Sequence, residues 1–343
     1  MSTTVLITGG AGFIGSNFVR YLRQKYPSYT IVVLDALTYA GTMDNLPGNI
    51  NEVENFSFWY GNVRNSELVD TLVEQSDIVV HFAAETHVTR SIFDNLLFFE
   101  TDILGTQAVA NAVVNHARKV KRFIHISTSE VYGTATTEVM DEDHPLLPMS
   151  PYASAKAGAD RLVYSYWATY DIPAVIVRPF NNFGPHQHLE KAIPRFITSC
   201  LLDEPLTVHG DGSAERDWIF VEDHCRALDM IIHCDIEKVK GQVINIGTCR
   251  SVSIMDIASL IVKKMGRPQS MITSISDRPG QVFRHTAAIG KAKSILGWEP
   301  EFTLEEGLDR TIEWYSHNMK WWEKQLWMRH IPIITRDGKK SMH

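Results

Sequence analysis

A chain of 343 residues, 44% of them hydrophobic, is long enough to bury a sizeable core in one large domain or two closely joined ones. A net charge of −7 without a long Lys/Arg run excludes broad nucleic-acid or anionic-membrane binding, while leaving room for a local basic pocket. No stretch approaches the ~20 apolar residues of a membrane helix, no basic leader precedes the first apolar run, and Cys200, Cys225, Cys234 and Cys249 show neither CxxC nor zinc-ligand spacing. The expectation is a soluble, cytoplasmic protein with free thiols and no metal.

Five short apolar runs follow one another: Val5–Thr8, Ile31–Leu34, Asp77–Phe82, Phe123–Ile126 and Ala174–Val177. Continuous β-branched runs of this kind suit strands buried on both faces of a parallel sheet. Between and after them Ser16–Gln24, Glu67–Gln75, Gly105–His116 and Tyr152–Tyr170 read as helices. Alternating strand and helix predict an α/β fold, a Rossmann-type doubly wound parallel sheet. Past about residue 180, Pro and Gly become more frequent and the elements shorter. The expected division is therefore a dinucleotide-binding domain over 1–180 that also carries the catalytic residues, and a smaller, partly interleaved C-terminal α/β substrate domain over 181–343. The aromatics Trp314, Tyr315, Trp321, Trp322 and Trp327 are read as packing or a subunit contact. His186 and His188, in a loop, are read as solvated.

The first strand runs into Gly9-Gly10-Ala11-Gly12-Phe13-Ile14-Gly15 and a helix follows. Glycines at these spacings allow a tight turn and close approach of backbone to a pyrophosphate, whose charge the free N–H groups at the helix start favour. Asp35 ends the second strand, 20 residues after Gly15. A carboxylate there accepts the adenosine ribose hydroxyls and repels a 2′-phosphate, so NAD is expected rather than NADP. Leu37 and Thr38 just beyond it, Asn62 and Val63, and the small-residue strand end Phe82-Ala83-Ala84 complete the expected cofactor contacts, with Asn182 further on.

Tyr152 and Lys156 stand four apart at the start of a helix, on one face. A nearby ammonium, together with a positive nicotinamide, would stabilise the phenolate and let Tyr152 act as a base. They are preceded by Ser127-Thr128-Ser129-Glu130 at a strand end. In this order the motifs resemble the extended short-chain dehydrogenase/reductases. Within that group the stretches Asp35–Gly41, Phe82–Val88, Ser127–Gly133, Asn181–Pro185, Arg216–His224 and Asp277–Gly280 are similar to nucleotide-sugar 4,6-dehydratases, especially the dTDP-glucose enzymes, over nearly the whole chain.

The resemblance implies a tightly bound NAD recycled in each turnover and a nucleoside-diphosphate sugar substrate. It assigns Tyr152 the sugar 4-hydroxyl proton, Lys156 the phenol and the nicotinamide ribose, Thr128 the 4-oxygen, and Glu130 the C5 proton released before water leaves C6. It implies substrate contacts at Thr86, Thr128, Asn181, Lys191, Val208, His209, Arg216 and Arg278, and a homodimer through a four-helix bundle of the 105–116 and 152–170 helices. Ser129 stands where the dTDP-glucose enzymes carry the Asp that protonates the leaving hydroxyl. Thr89, Asp102 and Asn62 replace Asp, Asn and Asp respectively. Thr-Ser-Glu is instead the arrangement of GDP-mannose 4,6-dehydratases, some N-acetylglucosamine-nucleotide dehydratases and UDP-glucuronate decarboxylases. The hexose and base are thus left open, between dTDP-glucose and UDP-N-acetylglucosamine among others. Decarboxylation, 4-epimerisation and a dehydration that returns hydride to C4 and gives a 5,6-ene stand as the alternatives.

Overall fold

The computed structural model describes residues 2–48, 54–277, 280–329, 332–334 and 340–342. Its strands in chain order are β1 Thr4–Thr8, β2 Thr30–Asp35, β3 Phe56–Tyr60, β4 Ile78–His81, β5 Arg122–Ile126, β6 Ala174–Pro179, β7 Asn181–Phe183, β8 Leu206–His209, β9 Glu215–Phe220, β10 Val243–Ile246, β11 Ser251–Ser253, β12 Ile272–Ile275, β13 Pro332–Ile334 and β14 Lys340–Met342. Seven of them form one sheet in the order β10-β6-β5-β4-β1-β2-β3, and every neighbouring pair is parallel. The order reverses between β1 and β4, which opens a crevice beyond their carboxyl ends, the place where doubly wound sheets bind ligands.

Two of the seven strands are absent from the apolar runs of the sequence. β3 (Phe-Ser-Phe-Trp-Tyr) is an edge strand whose Trp59 and Tyr60 are exposed, so it has no need of an unbroken β-branched run. β10 is interrupted by Asn245, which is buried because Tyr132 Oη donates to its side-chain oxygen and its amide donates to the Met140 carbonyl. Through β10 the chain returns to the large sheet long after residue 180.

Helices cover both faces. Phe18, Val19 and Leu22 of the Phe13–Lys25 helix pack with Cys225, Leu228 and Ile232 of the Val221–His233 helix against Val5, Ile7 and Val33. On the other face Val69 and Leu72 (Ser66–Glu74), Val109 and Val113 (Thr106–Asn115) and Val163 (Pro151–Tyr170) cover Leu6, Val79 and Phe123. Each such side chain taken out of water contributes roughly 1.5–3 kcal/mol. Ser150 caps the Pro151–Tyr170 helix by accepting from the Ala153 N–H, with Pro151 at its first position, so Tyr152 and Lys156 fall on its opening turns.

Above the crevice lies a second layer, built from the sheet β11-β9-β7 and the pair β12-β8. Its core gathers Phe183, Phe196, Trp218, Ile257 and Leu308, and it takes in Tyr315 and Trp322, both fully buried, while Trp327 is exposed. His186 and His188 are not solvated: His186 packs on Trp314 and His188 lies edge-on to Tyr39. Among the described residues no helix is long and apolar enough to cross a membrane.

Candidate active site

A cleft of about 440 Å³ runs along the carboxyl ends of the sheet and beneath the second layer. Its floor at β1 is the glycine turn. Gly9 has φ +69°, and a Cβ there would lie 2.6 Å from the Ala83 backbone nitrogen; a Cβ at Gly15 would lie 2.3 Å from the Gly9 carbonyl oxygen. Gly12 is the N-cap of the Phe13–Lys25 helix and no side chain caps it, so the helix start is left to a ligand. Phe13, Ile14, Thr38, Asn62, Val63, Phe82, Ala83 and Ala84 line the same stretch, as does Asn182 at its far side.

Asp35 is buried, its two carboxylate oxygens accepting from the Ala11 and Leu37 N–H groups at 2.8 Å each. Burial raises its pKa and the two bonds lower it. The carboxylate keeps free lone pairs toward the cleft wall it forms. Leu37, by contrast, does not line the cleft. It sits at φ +47° and contributes its N–H to Asp35. A cradle that any Cβ would fill, an uncapped helix start and a carboxylate one strand away fit an adenine dinucleotide of the non-phosphorylated kind.

At the other end, Thr128, Ser129, Glu130, Tyr152 and Lys156 converge on one wall. The Thr128 side chain accepts from the Glu130 N–H, and a side-chain hydrogen bond joins it to Tyr152. Tyr152 is buried against Phe98, and Lys156 donates to the Ile126 carbonyl at 2.6 Å. The expected lowering of the phenol by Lys156 is not what the protein alone displays. Burial, the Asp102 carboxyl and Glu130 hold Tyr152 well above its ordinary range, and only Thr128 works the other way. Burial pushes the Lys156 ammonium down, against the pull of Asp102 and Asp160.

Asp102 was not among the expected site residues. It lies on a π-helical turn, Phe99–Gly105, 1% exposed, with one oxygen accepting from the Glu85 N–H at 2.8 Å and the other without a partner among the described residues. Burial lifts it to about 7, as burial and then Glu190 lift Glu85. The signal available in the sequence was the departure from Asn at this position. Below it, His81 is held neutral, pushed by burial and Lys156 to about 3, between Thr8 and Thr106.

The second layer closes the cleft with Asn181, Lys191 and Arg216; Thr86 faces them from the β4 side. Lys191 Nζ donates to the Thr86 carbonyl at 3.0 Å, and the buried Arg216 donates to the Glu215 carbonyl at 2.8 Å. Next to them the buried Glu190 accepts from Tyr39 (2.8 Å) and from Arg90 (3.2 Å), which joins the two layers. Against burial, the charges of His87, Lys191 and His188 and then the Tyr39 bond hold its carboxyl down to about 2. Local patterning carried no sign of this clasp.

Two expected substrate contacts do not reach the cleft. Val208 is packed in the second-layer core, and the His209 ring is turned to the Ser276 carbonyl. Arg278 lies outside the described residues. No group of three or more His, Cys, Asp or Glu is arranged to hold a metal among the described residues.

A parallel sheet whose switch point carries a glycine cradle, with a Tyr-x-x-x-Lys pair beside it, defines the class of extended short-chain dehydrogenase/reductases. A family model described as GDP-mannose 4,6 dehydratase matches residues 6–311, and the chain belongs to that family. It is 46% identical over 311 residues to the low-salt glycan biosynthesis protein Agl12 of Haloferax volcanii, covering 91% of this chain and 98% of that one. It is 40% identical over 323 residues to a dTDP-glucose 4,6-dehydratase of Streptomyces niveus, covering 93% and 94%. The solved dTDP-glucose 4,6-dehydratase DesIV of Streptomyces venezuelae, with NAD bound, superposes with a TM-score of 0.89 at 37% identity, over 94% of this chain and 100% of that one.

Proposed function

We propose that the protein is an NAD-dependent nucleotide-sugar 4,6-dehydratase, a hydro-lyase that converts a nucleoside-diphosphate hexose such as dTDP-glucose or UDP-N-acetylglucosamine to its 4-keto-6-deoxy derivative. The observation that carries this reading is the meeting of Thr128, Glu130, Tyr152 and Lys156 at one end of a glycine-floored cleft, in a chain 40% identical to a dTDP-glucose 4,6-dehydratase. A simple alcohol dehydrogenase needs the phenol and the ammonium. A carboxylate beside them is needed when a hydrogen must also leave carbon as a proton.

The glycine turn and Asp35 would hold the dinucleotide, with Lys156 on its nicotinamide ribose. When bound, the nicotinamide supplies hydride acceptance and return within one turnover, so the cofactor stays with the enzyme. Tyr152, held by Thr128, takes the proton of the sugar 4-hydroxyl, and the Thr128 hydrogen bond favours the phenolate against burial. The ketone at C4 then acidifies the hydrogen at C5, and Glu130 removes it. Ser129, beside Glu130 in the cleft wall, would meet the hydroxyl leaving C6. Arg216 and Lys191, which line the cleft, would meet the diphosphate, to which a guanidinium and an ammonium are suited. In this reading residues 1–180 hold the dinucleotide and 181–343 the sugar nucleotide, with β10 crossing back. Exposed Leu104 and Tyr164 on adjoining helices support a homodimer through that face, which sedimentation of Leu104→Glu would disperse. Four free thiols support a cytoplasmic location.

The test is incubation with NAD and a panel of nucleotide sugars, read by product mass and NMR. Loss of water with a new C6 methyl group supports the reading. Loss of carbon dioxide would indicate a decarboxylase, an isomer of unchanged mass an epimerase, and an exocyclic methylene the 5,6-ene. No altered sugar nucleotide at all would remove the enzyme reading.

A further inference from the structure

Behind Ser129 stands a histidine that none of the steps above uses. His285 is 156 residues away in sequence, fully buried, with its ring edge-on to Phe180. Its Nε2 lies 2.8 Å from the Gly133 carbonyl oxygen. A carbonyl only accepts, so Nε2 carries the hydrogen and Nδ1 presents a bare lone pair. That lone pair points at the reaction side: Nδ1 is 3.4 Å from Ser129 Oγ and 4.0 Å from Glu130 Oε1. The charged or titratable groups that face the ring are Glu130, Arg216 and His144. Burial first, then Arg216 and His144, push the imidazole down to about 4, and Glu130 alone among these charged groups pulls it up. At neutral pH the ring is therefore an uncharged acceptor.

An aliphatic hydroxyl is too weak an acid to protonate a leaving oxygen unaided. It can do so when a second proton arrives as its own departs. We propose that His285 Nδ1 receives from Glu130 the proton taken from C5 and passes it to Ser129, which hands its own hydroxyl proton to the oxygen leaving C6. The C5–H and C6–O bonds break, the C5–C6 double bond forms, one water leaves, and Glu130, His285 and Ser129 all return to their starting states. No electron is gained or lost in this step. Ser129 with His285 thereby does what a carboxylic acid at position 129 would do alone. His285 acts through Ser129 and is a positioning residue; Ser129 is the group that meets the sugar. The inference rests on the dehydratase reading.

The experiment compares the wild-type protein, His285→Gln, Ser129→Ala and the double variant Ser129→Asp/His285→Gln, each with NAD and dTDP-glucose in D₂O. In the two single variants reduced nicotinamide should form as in the wild type and deuterium should enter C5 of recovered sugar, while release of water falls about 100-fold. Ser129→Asp should restore water loss in the His285→Gln background, because a carboxyl needs no relay. Without substrate, ¹⁵N-histidine NMR should place His285 in the Nε2–H form, with its Nδ1 signal moved by Ser129→Ala. Dehydration at the wild-type rate in His285→Gln, or loss of C5 exchange together with water loss, overturns the relay and leaves the dehydratase reading standing. An Nδ1–H form of His285 also overturns it. If His285→Gln fails to fold, the same selective loss in Ser129→Ala decides. A wild-type protein that removes water from no sugar nucleotide overturns both readings.

Discussion

Asp102→Asn separates the burial of a carboxyl from the hydrogen bond it makes. An Asn amide oxygen can accept the same 2.8 Å bond from the Glu85 N–H, while the charge disappears. The Asp102 pKa is raised from 3.8 to about 7, with burial as its first cause. A raised folded-state pKa means that the stabilising contribution is complete below the unfolded value and is lost as pH climbs through the folded one. The shift of about 3 units corresponds to at most about 4 kcal/mol lost between about pH 4 and pH 7. That shift already contains the pull of Lys156, which lowers the Asp102 pKa against burial. We expect Asp102→Asn to equal the wild type in stability near pH 4 and to exceed it by about 1–2 kcal/mol near pH 8, a shift of a few degrees in Tm. Asp102 is also the largest charge holding the Tyr152 phenol up, so the acid limb of the kcat/KM profile should move to lower pH in the variant. Thermal melts across pH and a pH–rate profile measure both. A Tm difference that does not change with pH, or a variant less stable near pH 8, would refute the reasoning.

Tyr152→Phe keeps the ring against Phe98 and removes the proposed proton acceptor. It should lower kcat about 10²–10⁴-fold while NAD content, measured on the purified protein, is unchanged. Gly15→Ala puts a methyl 2.3 Å from the Gly9 carbonyl oxygen, a backbone contact that cannot swing aside. The variant should lose about 1–3 kcal/mol in denaturant titrations and purify with little NAD. Arg178→Met removes both hydrogen bonds that Arg178 makes to the buried Asp160, at 2.8 and 3.0 Å. Arg161 still donates to Asp160 at 2.6 Å, so the carboxylate keeps one partner and the loss should stay below the about 3–5 kcal/mol of a fully orphaned buried charge; Arg178→Met/Asp160→Leu should regain part of it.

What was legible in the sequence rests on spacing along the chain. Gly9, Gly12 and Gly15 between a strand and a helix, Asp35 at the next strand end, and Tyr152 with Lys156 one helical turn apart point to a dinucleotide site and a candidate base because local backbone geometry follows from local residue order. The Thr128–Glu130 strand end was legible for the same reason, and all of these line one cleft. Spacing was silent where position depends on partners far away. β3 and β10 escaped because an edge strand and a strand bearing a satisfied Asn do not read as unbroken apolar runs. Val208 and His209 were expected at the substrate, yet the packing of β8 turns them elsewhere.

Motifs alone determined that this chain builds a dinucleotide cleft with a Tyr-x-x-x-Lys pair and a carboxylate beside it. The tertiary structure decided how those groups are charged. Desolvation and long-range neighbours, Asp102 beside Tyr152 and His285 behind Ser129, set proton affinities, and both are properties of the folded interior that no one-dimensional spacing encodes.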